Sequence, residues 1–512
     1  MDLQKRVTQI ISHITEGMFE REDVIAVALL GALSNQNTFL FGPPGTAKSL
    51  ISRRIACAFD GPTYFECLMN RFSTPEEVFG PVSIKALKED QYTRKTERYL
   101  PRAEFAFLDE IWKSSPAILN SLLTLINEKI FKNGEEIEKV PLKALIAASN
   151  ETPVENQGLE ALYDRFIVRL MVEPIHYKRN FESLVNAQPT EAYINLPDNL
   201  IIKQSEWQNW STSICSVSLS NETMLIIHSI RRAFAGKAEE LNIYVSDRRW
   251  QKAAQLLKAS AFFNGRAETN HSDALLLSHC LWTTEENREA VVDIVHASVN
   301  NAGFSSDISL AELDREKEDL DKEIHKELFY RSDVYDAEKI GNKKYFKALV
   351  NFSYGESWNK KTVKRTLFIP YSEMKSKNEF KPVNANGNEL DGYRCSFDGQ
   401  GTCAIKGKKF DNRYSAETTF TPKVLFYKGD KKDEVNHRLV SALKVDVVGI
   451  REKLMGVLEC CEAKMKDYRS ELESPFVNDE LISIPLNGIQ KQISDLKTRI
   501  KDCERLEALC CE

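Results

Sequence analysis

Along the first 175 residues, short apolar runs alternate with stretches whose apolar positions recur at helical spacing. The runs NTFLF (37–41), TYFEC (63–67), EFAFL (104–108), KALIAA (143–148) and RFIVRLMV (165–172) predict buried strands, and residues 48–59 and 116–128 predict helices between them. Such alternation predicts an α/β fold, a parallel sheet covered on both faces, over residues 1–175. Within it, KIFKNGEEIEKV (129–140) carries Asn133-Gly134 between two strand-like arms. That dipeptide accepts positive φ at both central positions and predicts a tight hairpin. From 176 to 305 the β-runs fade and helices take over, with Asn221, Ser246 and Ser272 as candidate caps for the first unpaired amides. This predicts a smaller all-α domain.

The remaining two hundred residues divide differently. Leu310, Leu313, Leu320, Ile324 and Leu328 mark one helix within 306–338. In 434–512, Leu443 to Leu472 and Ile489 to Leu506 step by threes and fours, giving two more apolar seams. Three seams predict a three-helix arm. Between the first and second helix, RTLFIPY, YRCSF, TCAIK, TTFTP and VLFYK are short β-type runs separated by Gly, Asn and Lys clusters. Residues 339–433 therefore predict a small all-β barrel or sandwich inserted into the arm.

Composition narrows the class. With 42% hydrophobic and 28% charged residues, the 512-residue chain can bury real cores. Sixty-nine basic against seventy-five acidic side chains give a net charge of −6, which disfavours a nucleic-acid footprint over the whole surface. No stretch reaches the roughly 18–20 apolar residues of a membrane span. The first 23 residues read as an amphipathic helix without the unbroken apolar core of a secretion signal. Eleven cysteines, an odd number, exclude a full disulfide framework and point to a reducing, cytoplasmic setting. No Cys or His cluster has zinc spacing.

The strongest chemical signal is Gly42-Pro43-Pro44-Gly45-Thr46-Ala47-Lys48-Ser49, directly after a β-run and opening a helix. A loop in that context points several backbone amides at one spot, and the helix N-terminus adds positive potential, so polyphosphate binds there. Lys48 would reach the β- and γ-phosphates and Ser49 would ligate Mg²⁺. One departure stands out: Ala47 occupies the position of the pattern's second glycine. Some sixty residues on, FAFL ends in Asp109-Glu110. Asp109 would hold the metal through water, and Glu110 would polarise the water that attacks the γ-phosphate. Together the two motifs predict ATP hydrolysis.

FGPPGTAKS, FAFLDEIWKSSPAILNSLLTLINE, LIAASNE and ALYDRF together resemble the MoxR branch of the AAA+ ATPases, and RFSTPEEVFGPVSIKAL resembles its RavA group. The resemblance covers residues 1–300. It implies an AAA+ core with an all-α lid, and the interrupted arm matches the same group. It places Asn150 at the sensor 1 position and Arg165 at the arginine finger, supplied to a neighbouring subunit's ATP. Arg248 falls at sensor 2, aimed at the nucleotide, with Arg249 as the competing residue. The 133–134 hairpin and residues 72–100 resemble insertions that face the ring pore. The implied function is a homo-oligomeric ring of six subunits that remodels a protein client held by residues 306–512. A partner bearing a von Willebrand A domain is implied as well. A DNA translocase fits poorly, since 129–140 carries as many glutamates as lysines. A nucleotide-gated scaffold is the remaining alternative.

Overall fold

A computed structural model of the chain describes residues 2–153, 159–302, 304, 310–329, 333–354, 361–376, 378–398, 401–411, 414–427, 432 and 435–511. It divides into two compact units, residues 1–308 with 455–498, and residues 309–454 with 499–512.

In the first unit, the five apolar runs become β1 (Asn37–Phe41), β2 (Tyr64–Leu68), β3 (Phe105–Asp109), β6 (Ala144–Ser149) and β7 (Phe166–Met171). They form one parallel sheet in the order β2-β3-β6-β1-β7. Every residue of β1 and β6 is buried, as expected of strands covered on both faces. The chain leaves β1 towards β2 and returns to β7 on the other side, so a crevice opens beyond the carboxyl ends of β1, β3 and β6. The covering helices are α1 (Leu3–Ile14), α2 (Glu22–Leu33), α3 (Lys48–Ala56) and α6 (Pro116–Glu128). In α2 all residues from Ile25 to Leu33 are buried, because its sequence is apolar on every side. Short helices α4 (Pro75–Phe79), α5 (Ile84–Leu87) and α7 (Glu160–Tyr163) complete this part.

The expected hairpin is β4 (Ile130–Asn133) with β5 (Glu136–Lys139), but its turn is shifted by one residue. The central pair is Gly134-Glu135, and of these only Gly134 has positive φ, at +66°. Asn133 ends β4 and is used otherwise. Its Oδ1 accepts the Arg94 amide at 2.6 Å while its Nδ2 donates to the Arg94 carbonyl at 3.1 Å. The side chain thus imitates a strand neighbour and ties the hairpin to the 72–100 segment.

The helical part contains α8 (Lys178–Asn186), α9 (Gln204–Ser216), α10 (Asn221–Leu241), α11 (Asp247–Phe263), α12 (His271–Leu275) and α13 (Glu285–Asn301). Ser246 caps α11 as expected, its Oγ accepting the Arg249 amide at 3.1 Å. Two expected caps are displaced towards the N-terminus. Ser220 rather than Asn221 caps α10, accepting from Thr223. Asn270 rather than Ser272 caps α12, accepting from Ser272 and Asp273. In both cases the helix begins so that the preceding Ser or Asn side chain stands at the capping position.

The long helices α15 (His437–Leu472) and α16 (Asp479–Leu509) contribute their turn-proximal halves to this unit. There the His271 ring stacks on Phe304, centroids 4.4 Å apart, with Tyr468 edge-on. At Gly488 a Cβ would lie 2.4 Å from the Asn300 carbonyl oxygen, so α16 approaches this closely only through a glycine.

The second unit holds α14 (Leu310–Leu328) and the distal halves of α15 and α16. Their buried seam includes Leu313, Ile324, Leu328, Val447, Leu454 and Leu506. Arg499 pairs with Asp314 at 2.9 Å and Arg451 with Glu507 at 2.5 Å across the helices. The intervening strands are β8 (Asp333–Tyr335), β9 (Glu338–Ile340), β10 (Lys343–Tyr354), β11 (Lys361–Pro370), β12 (Tyr393–Phe397), β13 (Cys403–Asp411), β14 (Tyr414–Phe420) and β15 (Val424–Tyr427). Sheets β11-β10-β9 and β12-β13-β14 are antiparallel and share one core. Phe346, Phe352, Leu367 and Ile369 of the first meet Cys395, Phe397, Cys403 and Ile405 of the second, which makes this a small sandwich.

Candidate functional site

From Phe41 the chain turns through residues 42–47 into α3, at the crevice beyond the sheet. A Cβ at Gly42 would meet the Val172 carbonyl oxygen at 2.2 Å, so only glycine lets the loop pass there. Gly45 stands at φ +81°. Ala47 takes φ +68° and ψ 25° immediately before the helix, a left-handed conformation that costs a non-glycine residue roughly 1–2 kcal/mol. Pro43, Pro44 and Gly45 are exposed at the crest of the loop, whereas Thr46 and Lys48 are buried and Ser49 is half-buried. Thr46 Oγ1 donates to the Pro43 carbonyl at 2.9 Å and fixes the loop from inside. Lys48 Nζ donates to the carbonyls of Gly42 and Pro43, both at 2.8 Å. Burial lowers the Lys48 pKa from the ordinary lysine value, and the charges of Asp109 and Glu110 oppose that shift. The three side chains are therefore within electrostatic reach of one another.

Asp109 is the last residue of β3, and Glu110 follows at φ 51°. Asp109 Oδ1 accepts the Glu110 amide at 3.1 Å. Burial raises the Asp109 pKa; the hydrogen bond from the Glu110 amide and the Lys48 charge oppose the shift, while the Glu110 charge adds to it. Glu110 Oε2 lies 3.1 Å from Lys113 Nζ, one turn further on. Lys113 was not singled out from sequence, although its i+3 spacing from Glu110 is the visible signal. Asn150 follows β6 and is exposed; next to it, the Ser149 carbonyl accepts the Gly42 amide at 3.2 Å. Asn150 thus stands beside the root of the loop.

Against the same loop lies a cavity of about 360 Å³. Its far wall is mostly apolar, with Met18, Phe19, Ile175, Phe181 and Leu184 among its lining residues. Arg21 braces it, donating to the carbonyls of Thr46 at 3.3 Å and Glu173 at 2.7 Å. None of these residues was a sequence candidate, because the wall is assembled from segments more than 150 residues apart. The only local signal is the break at Gly17-Met18-Phe19 between two helical stretches.

The arginines group elsewhere. Asp164 is engaged by Ser246 at 2.7 Å and by Arg249, whose Nη2 lies 3.0 Å away. Arg249 is buried in this pair and is therefore a structural link between α11 and the residue before Arg165. Arg165 and Arg248 both donate to Asn127 Oδ1 at the end of α6, at 2.9 and 3.4 Å. Burial lowers the Arg165 pKa, and the neighbouring Arg248 charge lowers it further. Among the described residues neither guanidinium contacts the loop 42–49 of its own chain. The structure thus gathers Lys48, Ser49, Asp109, Glu110 and Asn150 beyond the carboxyl ends of the central strands, and brings Arg165 and Arg248 together at Asn127.

A family model described as the MoxR domain of MoxR–vWA–β-propeller ternary systems matches residues 5–203. A model of an AAA lid domain matches residues 222–295. An uncharacterized protein of Methanocaldococcus jannaschii is 36% identical over 351 residues, 68% of this chain and 86% of its own. A second uncharacterized protein of that organism is 38% identical over 299 residues, 58% of this chain and 77% of its own. A structural protein of Acidianus two-tailed virus is 28% identical over 248 residues, 47% of this chain and 38% of its own. With adjoining models covering sheet and helical lid, and one relative aligned over most of both chains, the chain belongs to the MoxR family of AAA+ ATPases.

Proposed function

We propose that the protein binds ATP in the cavity beside residues 42–49, hydrolyses it, and uses the cycle to remodel a partner protein. The observation that carries this reading is the convergence of Lys48, Asp109 and Glu110 on one crevice next to that cavity. The base and ribose would lie against the apolar wall and the phosphates would run over the loop towards α3. Lys48 would exchange its two carbonyl bonds for phosphate oxygens, a strong charge-assisted contact. Glu110, released from or shared with Lys113, would orient and deprotonate the attacking water. Asn150 would hold that water from the other side.

The Ser49 hydroxyl and the half-buried Asp109 carboxylate are hard oxygen donors that fit Mg²⁺, and among the described residues Asp109 has no side-chain cation bonded to it. When bound, the ion neutralises charge on the phosphate oxygens.

Because Arg165 and Arg248 meet at Asn127 and, among the described residues, make no contact with their own loop, they fit a site completed by the neighbouring subunit. Among the described residues, the two guanidiniums share the Asn127 amide and neither is bonded to a carboxylate, which suits a developing phosphate charge. This supports a ring of copies, six by family resemblance, with Arg248 serving the neighbour alongside Arg165 rather than its own nucleotide. The β sandwich on the interrupted arm supports kinship with the RavA group and a role in recruiting clients. The description of the matching family model supports a von Willebrand A partner.

Glu110→Gln tests the chemistry. It should keep ATP binding and reduce phosphate release by about 10²–10⁴-fold. Unchanged turnover would remove Glu110 from the mechanism.

A further inference from the structure

The β sandwich leaves part of one sheet edge bare. β11 is the outer strand of the sheet β11-β10-β9. At Phe368 its backbone faces away from β10, because Phe368 and Val383 exchange two hydrogen bonds, at 3.0 and 2.8 Å. Strand alternation then turns the backbone groups of Thr366, Lys364 and Thr362 the same way. Among the described residues nothing pairs with them on that side. The chain's own Val383 covers the first position of the edge and stops.

The surroundings are cationic. Residues 333–427 carry 17 Lys and Arg against 11 Asp and Glu, a net charge of +6 in a chain whose total is −6. Lys364, Arg365 and Thr366 are exposed, and Leu349, opposite Thr366 on β10, is 75% exposed. Among the described residues neither Lys364 nor Arg365 has an acidic partner.

We infer that this free half of β11 binds an extended, acidic segment of a partner polypeptide by strand addition, continuing the bridge that Val383 begins. Main-chain hydrogen bonds supply the affinity of such a contact, and the flanking side chains choose the partner. Lys364 on one face of the strand and Arg365 on the other select carboxylates. A single-stranded nucleic acid would match the charge, but such ligands are bound by stacking on aromatic rings. Among the described residues, the exposed side chains flanking this edge are Lys, Arg, Thr, Asn, Ser and Leu, with no aromatic ring. Charged residues on an edge can also serve only to repel other strands. Here the edge already accepts one partner at Phe368, which argues for pairing over protection.

The inference deepens the reading of the sandwich as the recruiting module, and it is tested on the full chain. The probe is a fluorescent, end-blocked (Glu-Val)₄ peptide followed by anisotropy, with (Glu-Pro)₄, (Lys-Val)₄ and oligo-dT as comparisons. The first should bind, and the proline and lysine peptides should bind at least about tenfold more weakly. Thr366→Pro removes one outward amide while leaving the ladder to β10, and should weaken binding about tenfold. Methylating alternate amides of the probe supplies a check that needs no protein variant: one set should abolish binding and the other should not. Absence of binding to (Glu-Val)₄, equal effects of the two methylated sets, or tighter binding of oligo-dT would each overturn the inference. So would loss of binding in Lys364→Glu/Arg365→Glu with none in Thr366→Pro, since charge alone would then explain it. ATP turnover measured on the same samples separates this failure from failure of the ATPase reading.

Discussion

Ala47 shows how a single residue can carry a function-shaped conformation at a cost. Its positive φ turns the loop into α3, and glycine would adopt it without strain. Ala47→Gly should therefore leave the loop intact. The relief of roughly 1–2 kcal/mol is partly offset by about 0.5–1 kcal/mol of extra chain entropy in the unfolded state, so a gain between zero and about 1.5 kcal/mol is expected. A denaturant midpoint below that of the parent would contradict this. His271 is a second residue with a definite prediction. Burial holds its pKa down at about 4, with Glu222 and the Ala302 carbonyl opposing the shift and Lys464 reinforcing it. Its unfolded value is near 6.5, so between those limits the unfolded chain binds the extra proton. Stability from the neutral ring is full above pH 6.5 and lost as pH falls towards 4, by up to about 3 kcal/mol. Unfolding at pH 5 and pH 7 should show a smaller difference for His271→Phe than for the parent. An equal difference would place the acid sensitivity elsewhere.

At the level of elements, local patterns in the sequence coincide with the strands and helices of the structure, while long-range assembly leaves no such pattern. The five strands are apolar runs that no amphipathic helix would tolerate, and the 42–49 loop declares itself by its glycines and its Lys-Ser pair. Caps were misplaced by one or two residues because Ser220 and Asn270 compete with equally capable neighbours. The turn of the β4–β5 hairpin was misplaced because Asn133 has a tertiary partner in Arg94 that no local pattern reveals. The apolar wall of the cavity and the Asn127 bridge between Arg165 and Arg248 join distant segments, and periodicity cannot report such meetings. α16 offers a test at this scale. Gly488→Ala would drive a methyl group against the Asn300 carbonyl and the Phe304 ring, 2.4 and 2.6 Å away. Overpacking of this kind costs about 1–3 kcal/mol. Proteolysis within 473–478 should quicken while ATP binding persists; unchanged protection would mean that the helix shifts freely.

For the whole molecule, the described helices include none long and apolar enough to cross a membrane. Among the described residues, loop 42–49 and the Arg165–Arg248 pair make no contact within one chain, unlike a self-contained ATPase site. Hydrolysis should then rise with protein concentration as copies assemble, and Arg248→Ala should depress turnover without weakening ATP binding. The most direct measurement mixes Lys48→Ala subunits, which lack the phosphate contact, with Arg165→Ala subunits, which lack the finger. Each alone should be inactive, and co-assembled mixtures should regain phosphate release at the junctions where an intact loop faces an intact Arg165. Mixtures shown to co-assemble but still inactive would contradict a site shared between subunits.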